Sequence, residues 1–195
     1  MSRKTPTDVN ETTLSGKLLI ATPSIGDPRF DRTVILLCDH SPEHAMGIVL
    51  NQPVEGLSLR ELFEQLDITR PELAPDKSVL IGGPVDRDRG FVLHTVDFHA
   101  PDSTLSVNSQ IALTATKDAL EAIASHSPPR RSLLALGYAG WGAGQLEDEL
   151  AANAWLVTDP DEALIFGEHG EAMWEMALQR MGVTPEHLSA MAGHA

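Results

Sequence analysis

The chain contains a single cysteine, Cys38, among its 195 residues. One cysteine excludes an internal disulfide and suits a reducing compartment. Long hydrophobic runs are also missing, since every apolar run is far shorter than the roughly 20 residues that a membrane-spanning helix needs. The first fifteen residues are polar and lack the apolar segment of a secretory signal. These absences predict a soluble, cytoplasmic protein.

Basic residues are scarce as well. The 14 lysines and arginines are outnumbered by 28 aspartates and glutamates, so the net charge is −14. A surface of this sign repels the phosphates of nucleic acids and anionic membranes. The sequence has neither an arm rich in basic residues nor a recognisable helix-turn-helix pattern. We therefore expect no direct binding of nucleic acid and no binding to membranes.

The remaining composition is that of an ordinary globular protein, with 42% hydrophobic and 22% charged residues. Apolar runs predict strands near residues 18–21, 33–38, 46–51, 78–81, 91–96, 105–107, 111–113, 133–136 and 154–157. Helical periodicity is present near residues 58–66, 118–124, 145–153, 173–181 and 185–193. We find no internal repeat and no interdomain linker. The pattern predicts a mixed α/β fold in one domain over residues 14–195, with a partly antiparallel sheet flanked by helices on both faces, after a disordered tail at 1–13.

Three of these helices have recognisable start signals. Ser58 and Glu61 form a capping-box pattern. Asp118 is the expected N-cap of the second helix. Asp159 is the expected N-cap of a later one, with Pro160 at its first helical position.

The most distinctive stretch runs from Leu133 to Glu147. Four glycines follow an apolar run within eight residues, and Tyr138 and Trp141 lie between them. A strand that leads into such a turn and then a helix imitates a dinucleotide site, but Gln145 replaces the third glycine of that motif. The acids that begin with Glu147 would also repel a pyrophosphate. We favour a tight strand-to-helix turn, with a site for a small molecule or peptide at the two aromatics as the functional alternative.

A second group of chemically active residues surrounds Cys38. His40 and His44 follow it closely, but Pro42 opposes the helix that would align both histidines on a metal, so a solvated hairpin loop is favoured and no metal site is predicted. Cys38 is also a candidate reactive thiol because His40 is near. A half-buried structural cysteine is the alternative. Since no serine-hydrolase motif is present either, we assign no catalytic residue and no cofactor.

The glycine stretch and two polar loops suggest one cleft. We expect the loops at 22–30, 51–53 and 137–145 to line it. The candidate binding residues are Thr22, Pro23, Asp27, Phe30, Asn51, Tyr138, Trp141 and Gln145.

Several blocks of the sequence, in their order along the chain, resemble one known family. The blocks are GKLLIATP at 16–23, DPRFDRTV at 27–34, AMGIVLNQP at 45–53, GGPV at 82–85, GYAGWG at 137–142, GQLE at 144–147 and GHA at 193–195. The chain resembles the YqgE/AlgH family of bacterial proteins over about residues 14–195. It departs from the family pattern at His44, where glycine is common, and at Gln52, where arginine is common.

The resemblance implies a single domain with a mixed sheet and flanking helices. Some members of the family are labelled transcriptional regulators, and the family offers no established catalytic residues to transfer. Together with the residue patterns, this favours a non-enzymatic binding or regulatory protein with a small-molecule or protein partner. The alternative is a thiol-dependent or redox-responsive enzyme that uses Cys38. The sequence does not indicate an oligomeric state.

Overall fold

The structure is a computed structural model that describes residues 13–192. The strands in this part of the chain are β1 (Leu18–Ala21), β2 (Val34–His40), β3 (His44–Val49), β4 (Pro53–Ser58), β5 (Ser78–Ile81), β6 (Val85–Thr95), β7 (Thr104–Ser106), β8 (Ile111–Thr114), β9 (Ser132–Gly142) and β10 (Trp155–Thr158). The α-helices are α1 (Leu59–Gln65), α2 (Lys117–Ile123), α3 (Gln145–Ala151), α4 (Glu162–Phe166), α5 (Ala172–Arg180) and α6 (Pro185–Ala192). No helix between residues 13 and 192 has the length and apolar character needed to cross a bilayer.

The strands form one sheet in the order β10-β1-β2-β3-β9-β6-β8-β7, and β5 joins it through β9 while β4 pairs with β5. All of these pairs are antiparallel except β5 with β9. The class predicted from the sequence, a mixed α/β domain, is confirmed. The sheet is curled rather than flat. The finer expectation of helices on both of its faces stays a prediction, and residues 1–12 of the predicted tail lie outside the described residues.

Alternate residues of the strands enter different parts of the core, as a pleated strand requires. In β1, Leu18 and Ile20 belong to a cluster that also contains buried residues of α4, α5 and α6. Leu19 and Ala21 belong to a second cluster, which includes Leu146 of α3. A third cluster joins α1 and α2 to the middle of β6 and β9. The short apolar runs of the sequence therefore became strands that are buried on both sides.

The helix starts were predicted with mixed success. Ser58 and Glu61 form the expected capping box at α1, where each side chain bonds the backbone N–H of the other residue. The other two caps were wrong. Thr116, rather than Asp118, precedes α2. Asp161 caps α4 by accepting a hydrogen bond from the N–H of Leu164, so Pro160 lies outside that helix.

The glycine stretch is not the turn that the sequence suggested. β9 continues through it to Gly142, and only residues 143 and 144 separate this strand from α3. The strand persists because it has partners along its whole length: β6 and β5 beside its first half and β3 beside its second half. Three neighbouring strands thus supply the hydrogen bonds that override the low β-propensity of glycine.

The glycines instead allow two segments of backbone to cross. β5 and β6 lie on opposite sides of β9, because Ala135 pairs with a residue of each. The connection between them therefore passes directly over β9. A Cβ atom at Gly83 would lie 2.0 Å from the carbonyl carbon of Tyr138, and Gly137 has a φ of 74° with its own Cβ position 2.6 Å from the Gly83 oxygen. Only glycine fits at these two positions.

Candidate functional site

Trp141 is part of the core. Its side chain is 5% exposed and packs edge-on against Trp155, with the ring centroids 6.0 Å apart. Phe30 also packs edge-on against Trp155, with the ring centroids 5.9 Å apart. The Glu149 Oε2 atom accepts hydrogen bonds from the indole N–H groups of Trp141 and Trp155, at 2.9 and 2.7 Å. One carboxylate thus satisfies both buried indoles, and Trp141 has a structural role.

Two further candidates, Thr22 and Asn51, fasten loops to the sheet. The buried Thr22 hydroxyl donates to the Asn153 carbonyl oxygen at 2.6 Å. The buried Asn51 amide accepts from the Val34 N–H at 2.9 Å and donates to the Arg32 carbonyl oxygen at 2.8 Å. Because their polar atoms already have protein partners, these side chains have little capacity left for a ligand.

The other candidates close local turns. Asp27 accepts from the Arg29 backbone N–H and from its guanidinium, and these hydrogen bonds lower the pKa of the Asp27 carboxyl. Pro23 is exposed and begins a short 3-10 turn. Gln145 accepts from the Gly142 N–H at 3.1 Å and donates to Glu149 at 3.1 Å. The structure therefore brings Gln145 to the same carboxylate that holds Trp141.

Tyr138 lies apart from this cluster. Positions 138 and 141 are three residues apart on one strand, so their side chains project to opposite sides. Tyr138 packs edge-on against Phe91, 5.7 Å away, in the cluster that contains α4–α6. Seven of the eight candidates thus take part in core packing or local turns, and Tyr138 lies in a different cluster from Trp141.

Tyr138 lines an open depression on the sheet, which we call the sheet groove. Its volume is about 560 Å³. The lining residues are Asp39, His44, Ala45, Met46, Val85, Arg89, Phe91, Ser103, Leu105, Leu113, Ala115, Tyr138, Gly140 and Trp141. They come from six strands, β2, β3, β6, β7, β8 and β9, and from residues 103 and 115 beside them. Val85 and Leu105 remain 37% and 40% exposed, so the groove has an accessible apolar wall.

Two polar groups in the sheet groove have no assigned role in the fold. The Arg89 guanidinium is exposed and lies over the Phe91 ring, 5.2 Å from its centroid. Within residues 13–192 this guanidinium forms no ion pair or hydrogen bond, and the Tyr138 hydroxyl forms no hydrogen bond either. Both donors face a largely apolar lining. No sequence pattern points to Arg89, which lies in an irregular part of β6 between the paired residues Val85 and Gly90.

At the rim of the groove, Ser41, His44 and Asp39 form a hydrogen-bonded chain that the sequence analysis missed. His44 Nε2 lies 2.8 Å from Asp39 Oδ2, and His44 Nδ1 lies 3.0 Å from Ser41 Oγ. This order resembles a hydrolase triad. However, the Ser41 oxygen also accepts from the backbone N–H groups of Glu43 and His44, at 3.3 Å each, as in a turn. The chain closes the β2–β3 hairpin, so the Ser41 hydroxyl is engaged in a turn rather than free to act as a nucleophile.

A second depression, the β4–β5 cavity, has a volume of about 590 Å³ and lies between these two strands and the segment 165–170. Several of its polar groups hold the local structure. Ser58 and Glu61 cap α1. The Lys77 ammonium lies 3.5 Å from the Phe166 carbonyl oxygen, and His169 Nε2 lies 3.2 Å from the Ala163 carbonyl oxygen. The cavity therefore offers fewer uncommitted polar groups than its lining suggests.

Cys38 and the nearby histidines do not converge. The Cys38 side chain is 2% exposed, and burial, aided by the charge of Asp39, raises the pKa of its thiol. His40 bonds elsewhere: its Nε2 lies 2.7 Å from Glu147, whose pKa this contact lowers, and its Nδ1 accepts from the Leu14 N–H at 3.1 Å. Residues 13–192 contain no group of three side chains placed to hold a metal. The geometry thus gives the reactive-thiol hypothesis no support.

We expect Cys38 in the folded protein to react with an aromatic disulfide reagent at least about tenfold more slowly than in urea-unfolded protein. A buried thiol is both inaccessible and held in its unreactive protonated form. The release of the coloured thiolate measures both rates at one pH. A folded rate equal to or above the unfolded rate would show that the thiol is activated and would restore the redox hypothesis.

Comparison with known proteins places this geometry in a family. The sequence model of the AlgH-like family matches residues 18–186. A UPF0301 protein from Caulobacter vibrioides is 57% identical over 183 residues, which are 93% of this chain and 94% of that protein. A second, from Bradyrhizobium diazoefficiens, is 50% identical over 189 residues, 93% of this chain and 88% of that protein.

Solved structures agree with the sequence relatives. The solution structure of the AlgH protein from Pseudomonas aeruginosa is 42% identical, covers both chains completely and superposes with a TM-score of 0.73. A crystal structure of a Corynebacterium diphtheriae protein is 20% identical, covers 92% of this chain and 90% of that one, and has a TM-score of 0.68, which shows a shared fold. The resemblance inferred from the sequence is thereby confirmed, and the chain belongs to the AlgH-like family of bacterial proteins.

Proposed function

We propose that this protein is a non-enzymatic binding protein and that its sheet groove takes a small amphipathic molecule. The supporting observation is the combination of an exposed apolar wall, at Val85 and Leu105, with uncommitted polar donors in the same groove. Small-molecule sites are typically concave, mostly apolar, of roughly 300–1,000 Å³ and supplied with a few placed polar groups. The groove, at about 560 Å³, has these properties.

A binding role fits the available chemistry better than catalysis does. The thiol of Cys38 is buried, and the Ser41 hydroxyl is occupied by its own turn. A regulatory effect would then act through ligand binding. Direct contact with DNA is disfavoured by the net charge of −14. The cytoplasmic location expected from the sequence remains part of this proposal.

The sheet groove is preferred to the β4–β5 cavity for a specific reason. Four polar side chains of the cavity, those of Ser58, Glu61, Lys77 and His169, hold α1 and the segment after α4 in place. A ligand there would have to displace these contacts. In the sheet groove, by contrast, Arg89 and the Tyr138 hydroxyl have no such contacts among the described residues. Binding in the groove therefore costs the fold less.

The test uses methyl NMR of protein labelled at methionine, with 3-phenylpropan-1-ol as a neutral probe. Met46 is half-buried and lines the groove, whereas Met173 is buried in α5. We expect the Met46 methyl signal to shift saturably and the Met173 signal to stay nearly fixed. A Met46→Leu spectrum assigns the reporter.

A matched pair of variants provides the control. Leu105→Asp places a charge in the groove at a residue that is 40% exposed, while Val96→Asp changes an apolar residue that is 50% exposed and does not line the groove. We expect Leu105→Asp to weaken binding at least about tenfold, because the probe would have to desolvate a carboxylate, and Val96→Asp to leave it unchanged. A fixed Met46 signal, or equal binding by both variants, would contradict the proposal. If the groove bound extended peptides and not the small probe, the ligand would be a segment of a protein partner rather than a small molecule.

A further inference from the structure

We infer that the ligand of the sheet groove carries a carboxylate, which the Arg89 guanidinium binds with help from the Tyr138 hydroxyl. This inference rests on the proposed function and adds the chemical class of the ligand to it. The two donors reach the groove from neighbouring strands, β6 and β9. Each lies beside the Phe91 ring, with Arg89 at 5.2 Å and Tyr138 at 5.7 Å between centres. Both side chains thus contact the same ring of the groove lining.

The side chain of Arg89 is suited to this task. A guanidinium presents parallel N–H donors that match the two oxygens of a carboxylate. Its contact with the Phe91 ring orients it without using those donors. An arginine held in this way loses less conformational entropy when it binds an anion.

The charges around Arg89 make the preference testable. The protein as a whole, at −14, repels carboxylates, so a preference for them must come from a local group. Asp39 is the acid that lines the groove, and it is hydrogen-bonded to His44 at the rim. Arg87, two residues before Arg89, is exposed but does not line the groove. It therefore offers a control of identical charge on the same strand.

The experiment compares three probes that share one apolar body: 3-phenylpropanoate, 3-phenylpropan-1-ol and 3-phenylpropylamine. Dissociation constants come from the Met46 methyl shift at low ionic strength. We expect the carboxylate to bind about five- to tenfold more tightly than the alcohol, and the amine to bind no better than the alcohol. The common body keeps apolar burial constant, so the differences report on the head group.

Substitutions then show which residues cause the preference for the carboxylate over the alcohol. Arg89→Gln should remove it, weakening the carboxylate about five- to tenfold and bringing its affinity close to that of the alcohol for the same variant. Arg87→Gln should change neither. Tyr138→Phe should weaken the carboxylate about two- to threefold, because a neutral hydroxyl contributes less than a guanidinium. Raised salt should reduce the difference between carboxylate and alcohol in the wild type.

The outcomes separate this inference from the proposed function. If the alcohol binds as tightly as the carboxylate, or if Arg89→Gln and Arg87→Gln behave alike, the groove is a binding site but the carboxylate inference is wrong. Tightest binding by the amine would overturn it in favour of Asp39 as the polar contact. If none of the three probes shifts the Met46 methyl signal, both the proposed function and the carboxylate inference are wrong.

Discussion

We expect the Gly83→Ala variant to be recovered largely unfolded. The added methyl group would lie 2.0 Å from the carbonyl carbon of Tyr138, a backbone atom of the central strand β9 that cannot move aside. Relief would require β5, β6 or β9 to shift, with loss of their ladder hydrogen bonds. We expect the free energy of unfolding to fall by more than about 4 kcal/mol, which is exceptional for one substitution. Because many domains are stable by only about 5–15 kcal/mol in total, a loss of this size is enough to unfold much of the protein.

Circular dichroism and urea titration measure this effect, and Gly142→Ala is its control. Gly142 lies in the same strand, but a Cβ atom there would meet nothing within 4 Å. We expect this variant to stay within about 0.5 kcal/mol of wild type. If Gly83→Ala folds with wild-type stability as well, the backbone crossing described at Gly83 and Gly137 is wrong.

The second large effect is expected at Trp141, where the change to alanine should cost about 3–5 kcal/mol in the free energy of unfolding. The variant loses the packing against Trp155 and leaves part of the Glu149 carboxylate without its donor. Urea unfolding followed by the signal of the remaining tryptophans gives the value. Trp141→Phe separates the two causes: it keeps an aromatic ring and removes the N–H, so about 1–2 kcal/mol is expected.

A near-normal stability for Trp141→Ala would have a clear meaning. It would show that this side chain is not held by the core and would return it to the role predicted from the sequence, a displayed aromatic that contacts a ligand. The structural role assigned here requires that both indole N–H groups be satisfied by Glu149.

The parts of the fold that sequence predicted well depend on local patterns. The capping box at Ser58 and Glu61, the β2–β3 hairpin and the apolar face of α5 each involve residues close together along the chain. The glycine stretch differs from the predicted turn because its glycines are required by a contact with residues distant in sequence. Gly83 and Gly137 are required by one another, and no spacing within residues 133–147 reveals a crossing with a segment some fifty positions earlier.

The prediction of the candidate site has the same limit, because contacts between distant residues decide which side chains share a surface. The short spacing of Tyr138 and Trp141 along the chain favours a shared site, whereas an unbroken strand sends positions three apart to opposite sides. Once β9 extends to Gly142, their separation follows. Arg89 gave no sequence signal, since its importance depends on Phe91 beneath it and on a groove assembled from six strands.

The most direct measurement is the set of intermolecular nuclear Overhauser effects between bound 3-phenylpropanoate and the labelled protein. Placement in the sheet groove predicts contacts from the phenyl protons to the Met46 methyl and the Leu105 side chain, which line this groove, and none to Ile165 in the β4–β5 cavity. Contacts to Ile165 without any to Met46 or Leu105 would place the binding site in the cavity and contradict the function proposed for the groove.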